Sequence, residues 1–199
     1  NPREDTAVLL EDGQVVSNDE PAALERKAHE ADYVDLSGAV LMPAFTNAHD
    51  HGRGLDSLEF GIPDDTLEVW LKTLSGMPAL PAYETAVLEA GLLARSGVTW
   101  TVHSHIPRSW DDPLPEIEAT LRGYRDAGVG VAFHFPFVEQ NLLFYGEEPE
   151  KIEALPASLR KAAKEMAAPP PMSSNEYLEL LDSVYQSYHD PAGGVLIQA

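Results

Sequence analysis

Residues 39–54 read Ala-Val-Leu-Met-Pro-Ala-Phe-Thr-Asn-Ala-His-Asp-His-Gly-Arg-Gly. An apolar run ends in two histidines one residue apart, His49 and His51, and the glycines Gly52 and Gly54 follow. In an extended strand, side chains at i and i+2 share a face. Both imidazoles can therefore reach one metal ion, at the Zn–N distance of roughly 2.0–2.1 Å. The glycines carry no side chain to crowd the space in front of the pair. This stretch predicts a strand over 40–49 whose C-terminal end offers two imidazoles that could share a metal ion.

Downstream of it, strand and helix alternate. Leu67, Trp70, Leu71 and Leu74 follow the spacing of an amphipathic helix. A second helix over 83–96 closes at Gly97, and a strand follows over 98–103. Ile117, Leu121 and Tyr124 mark a third helix closed by Gly128, with a strand over 129–135. Residues 149–168 are expected to be helical, stopped by Pro169-Pro170-Pro171. Ser173 to Glu176 fits a capping box before a helix over 177–188, and Val195–Gln198 is a last apolar strand. This alternation implies parallel strands with right-handed crossovers. A (β/α)8 barrel needs about 250 residues, so the rhythm describes an α/β chain holding about the first four units of a TIM-type barrel. Upstream, residues 7–16 predict two short strands around Asp12-Gly13, 21–31 a short helix, and 33–36 another strand. The expected division is residues 1–39 as part of a small β-domain and residues 40–199 as the half-barrel.

Composition narrows the chemistry. At 44% hydrophobic and 23% charged the chain is ordinary globular material. The net charge of −20 opposes binding to nucleic acid, and no apolar run is long enough for a membrane span or export signal. Those features lead to the expectation of a cytoplasmic protein. Cysteine is absent, so any metal must be held by His, Asp or Glu. The chain does not begin with methionine, so a preceding segment is expected.

The run from Met42 to His51 resembles the first-strand metal motif of the amidohydrolase superfamily, whose usual form is an apolar strand, Pro-Gly-Phe, Asn-Ala-His and x-His. Ala44 stands where the glycine is usual. Gly97-Val98-Thr99-Trp100-Thr101-Val102-His103 is similar to the second strand of its deaminase-like members, so the likeness is to the cytosine deaminase and chlorohydrolase branch. The resemblance makes the opening strands part of a β-sandwich. It also implies a hydrolase that uses one divalent ion, Zn²⁺ or Fe²⁺, to activate water against a C–N bond of a small heterocyclic or amide substrate. His49 and His51 would be metal ligands. The remaining ligands and the proton-shuttling groups are expected beyond Ala199, in a missing C-terminal half on the same or a second chain, and a homo-oligomer is left open.

A second pair, His103-Ser104-His105, is by spacing an equally good metal site. The resemblance gives it no metal role, leaving pocket-lining, substrate-facing residues or hydrogen-bonded structural histidines. Arg53 and Asp56 lie in the first strand-to-helix loop and Gln140 and Asn141 follow the third strand, so each could contact substrate. For Asp56 a surface ion pair is the better fit. Asp50 faces away from the ligand pair and is expected to orient a loop. His134 either reaches the barrel mouth or packs in the core. Gln198, rather than lysine, ends the fourth strand, which opposes a two-metal cyclic-amide hydrolase. The non-enzymatic alternative is a truncated barrel acting as a binding or assembly module.

Overall fold

The computed structural model describes residues 3–74, 76–138, 142–169 and 171–198, with every side chain but that of Glu68. The chain divides into two compact units, Asn1–Met42 and Pro43–Ala199.

In the first unit, β1 (Ala7–Glu11) and β2 (Gln14–Asp19) form an antiparallel hairpin, followed by α1 (Pro21–Lys27). Asp12 and Gly13 both take positive φ, 49° and 75°, the geometry a two-residue hairpin turn requires. The strand expected over 33–36 is absent. Tyr33, Val34 and Leu36 are exposed and meet no partner strand among the described residues.

In the second unit, four parallel strands stand in the order β3 (Phe45–Asp50), β4 (Val98–Ser104), β5 (Gly130–His134) and β6 (Val195–Ile197). Their crossovers carry α2 (Leu67–Leu74) and α3 (Ala82–Arg95), then α4 (Leu114–Ala127), and finally α5 (Glu148–Ala154), α6 (Ala157–Met166) and α7 (Ser174–Tyr188). The first strand begins at Phe45 rather than residue 40, because Pro43 has no N–H to donate to a ladder. Val40 is left 87% exposed. The helix expected over 149–168 is two helices. Pro156 forces Leu155 into extended backbone with ψ 155°, and the chain turns there. Ser173 and Glu176 form the expected capping box of α7.

The core lies on one face of this sheet. Ala86, Ala90 and Leu93 of α3, Ile117, Leu121 and Tyr124 of α4, and Val184 of α7 pack on Val131, Phe133, Phe135, Val195 and Ile197. Tyr124, Phe133 and Phe135 are fully buried. At about 1.5–3 kcal/mol for each such side chain, this layer is what holds the four strands. The other face, with Trp100, Val102, His134 and Leu196, is less enclosed.

Candidate metal centre

Register decides which residues share a face. Asp50 pairs with His103, and His103 with Phe133, so all three point toward the helix layer. Ser104 pairs with His134, so those two point the other way. His49 and His51 flank Asp50 and lie on the face of Ser104 and His134. The ladder slips by one residue between Asn47 and Asp50, a bulge at the end of β3. The rings of His49 and His51 lie 4.9 Å apart at 88°.

His51 is half-buried, and its Nδ1 lies 2.9 Å from the Ser104 carbonyl oxygen. A carbonyl only accepts, so Nδ1 carries the proton and Nε2 keeps its lone pair. Burial, with lesser contributions from Arg53 and His49, lowers the pKa of His51 against the opposing pull of that carbonyl. Burial and His49 lower that of His134 as well. Neutral imidazoles with a fixed tautomer are the form that binds metal. Two donors fit a divalent ion as part of a ligand set. Among the described residues no group of three His, Asp or Glu side chains converges to complete one.

The pair opens on a cleft of about 440 Å³ lined by Arg53, Leu55, Asp56, Glu89 and Leu92. The Arg53 guanidinium lies 5.1 Å above the centre of the Trp70 ring, and the indole N–H of Trp70 donates to Ser57 Oγ. Burial lowers the pKa of Arg53. Asp56 caps the short 3-10 turn Ser57–Phe60 by accepting from Leu58 N–H. Gln140 and Asn141 lie outside the described residues.

His103 and His105 are 1% and 6% exposed and face the helices, so the pocket-lining role expected of them meets a register that turns them away from His49 and His51. His103 Nδ1 shares a hydrogen bond with Tyr124 Oη at 3.1 Å. His105 stacks at a tilt on Phe133, and its Nε2 lies 3.6 Å from Glu116 Oε1. That separation is too long for a hydrogen bond, and the carboxylate is 24% exposed. Burial therefore outweighs it and lowers the pKa of His105 to about 4. His189 accepts from the Ile197 N–H through Nδ1.

Asp50 builds the loop behind the pair. Its Oδ1 accepts from the N–H groups of His51 (2.7 Å) and Gly52 (2.9 Å), and its Oδ2 accepts from Asn47 Nδ2 (2.6 Å). Gly52 has φ 58°, and a Cβ there would overlap the His103 ring. The sequence reading missed Glu89, whose Oε2 accepts from Gly54 N–H at 2.8 Å. The available signal was an acid on the stripe of α3 that also carries Ala86, Ala90 and Leu93.

The chain matches no protein-family model and no curated protein sequence. Among solved structures it is similar to guanine deaminase from C. acetobutylicum with bound guanine, at a TM-score of 0.62 and 14% identity over 97% of this chain and 40% of that one. It is also similar to atrazine chlorohydrolase TrzN from Arthrobacter aurescens TC1. A mutant of that enzyme complexed with zinc and atraton gives a TM-score of 0.59, and the enzyme complexed with zinc gives 0.55, each at 19% identity over 96% of this chain and 40% of that one. The chain thus spans about 40% of the length of these solved structures. At these identities the likeness establishes the fold: an α/β chain whose parallel four-stranded sheet corresponds to part of an amidohydrolase barrel, preceded by a small antiparallel unit.

Proposed function

We propose that this chain contributes the first metal-binding strand of a metal-dependent hydrolase of the amidohydrolase superfamily, in its cytosine deaminase and chlorohydrolase branch, which attacks a C–N bond of a small heterocyclic or amide substrate. The observation that carries the reading is the His49–His51 pair, set at the C-terminal end of the first barrel strand with the His51 tautomer fixed by the Ser104 carbonyl. The solved structures of similar fold are a deaminase and a zinc-bound chlorohydrolase, which supports that kind of reaction. His49 and His51 hold one divalent ion, Zn²⁺ or Fe²⁺. Such an ion supplies a water of pKa near about 7. Arg53, held over Trp70, offers its N–H donors to substrate polar atoms in the cleft. The third protein ligand and the proton-transfer groups come from the part of the barrel that this chain does not span, on the same or a second polypeptide.

The test is hydrolysis of a panel of amino- and chloro-substituted heterocycles and amides by the zinc-loaded protein in its longest natural form. Activity that disappears in His49→Ala and in His51→Ala supports the reading. Full activity retained in either variant overturns it.

A further inference from the structure

The loop from His51 to Gly54 is clamped from behind, and both clamps reach it from outside β3. One is steric. The Gly52 backbone rests on the His103 ring, and the Gly54 backbone rests on α3, where a Cβ would lie 2.9 Å from the Thr85 carbonyl oxygen and 3.3 Å from Glu89 N. The other is polar and converges on one side chain. Glu89 Oε2 accepts from Gly54 N–H at 2.8 Å. Asp50, in the same segment, receives the backbone N–H groups of His51 and Gly52 and the side-chain amide of Asn47. Asp50 thereby ties Asn47, His51 and Gly52 together, and Glu89 is the α3 side chain that takes a hydrogen bond from the loop that follows them.

We infer that Glu89 is a positioning residue for the His49–His51 pair, tying the loop that follows the pair to α3 through the Gly54 N–H. The inference rests on the metal reading above. The neighbours of Glu89 on the inward stripe of α3 are Ala86, Ala90 and Leu93. Glu89 Oε2 accepts from the Gly54 N–H, and a glutamine carries an acceptor oxygen in the same place. An alanine has none. Loss of such an outer hydrogen bond typically costs about 10–100-fold in metal affinity.

The experiment is a Co²⁺ titration of the protein in its longest natural form, read by the visible absorption of the bound ion, for wild type, Glu89→Ala and Glu89→Gln. Thermal melting of the metal-free proteins is measured alongside. The expected result is a loss of about 10–100-fold in Co²⁺ affinity with an altered absorption spectrum in Glu89→Ala. Glu89→Gln is expected to keep the wild-type spectrum and most of the affinity. Wild-type affinity and spectrum in Glu89→Ala overturn the inference, and so does an equal loss in both variants, which would make the charge the determinant. A wild-type protein with no Co²⁺ spectrum overturns the metal reading itself and this inference with it.

Discussion

The chain carries the same three-residue pattern twice, His49-Asp50-His51 and His103-Ser104-His105, and the structure treats the two oppositely. The first pair stands on the open face of the sheet at the end of an edge strand, with its two rings edge to face and the His51 Nε2 lone pair available. The second is enclosed between sheet and helices, against Tyr124, Phe133 and Glu116. Spacing within a strand says only that two side chains share a face. Which face it is depends on the neighbouring strands: Asp50, the residue between the first pair, is in register with His103 itself. Imidazoles on the open face can hold a ligand, whereas the same groups on the covered face support packing and are kept neutral by burial.

The largest way to break this contrast is truncation of each pair in turn. His51→Ala is expected to abolish metal binding and hydrolysis while changing unfolding free energy by less than about 1 kcal/mol, since its ring is half solvated. His103→Ala is expected to cost about 3 kcal/mol, from the cavity and the stranded Tyr124 hydroxyl. Denaturant unfolding and metal affinity, measured on both variants, separate the two roles. Equal destabilisation by the two would erase the contrast.

Gly52 joins the pairs, and Gly52→Ala is expected to cost about 4 kcal/mol, combining backbone strain at φ 58° with overlap on His103. In a double-mutant cycle, adding His103→Ala should relieve the overlap and leave the backbone strain. Strict additivity in unfolding free energy would show that the two residues do not touch.

Acid sharpens the contrast further. Burial holds His105 neutral in the folded chain, with a pKa of about 4 in place of 6.5. The unfolded chain therefore binds the proton first as pH falls. The contribution is fully present above pH 6.5 and is lost progressively down to about 4, by about 3 kcal/mol in all. His105→Gln should flatten the fall in unfolding free energy over that window relative to wild type; parallel curves would contradict the burial argument. The smallest effect expected is that of Tyr124→Phe, about 1 kcal/mol in unfolding free energy with metal affinity unchanged, because it removes one neutral hydrogen bond on the covered face.

Much of this was legible in the residues. The βα rhythm, the Gly97 and Gly128 helix ends, the Asp12-Gly13 hairpin and the Ser173 capping box rest on local chemistry, and each stands where that chemistry puts it. Residues 33–36 and 40–44 read as strand from their apolar side chains, but a strand needs a neighbour, and no local pattern reports whether one is there. Pro156 announced a break inside 149–168 that the helical composition concealed. At the site, His49 and His51 were visible from spacing and Asp50 from its opposite parity. The orientation of His103 and His105 was not visible, because it follows from a bulge and a register between strands about 50 residues apart.

The measurement that tests the central claim most directly is imidazole ¹⁵N NMR of the protein during titration with Zn²⁺. The account predicts that the ring nitrogens of His49 and His51 shift on binding, with Nε2 as the coordinating atom of His51, while those of His103 and His105 stay at their metal-free positions. Coordination shifts at His103 or His105, with His49 and His51 unmoved, would contradict it.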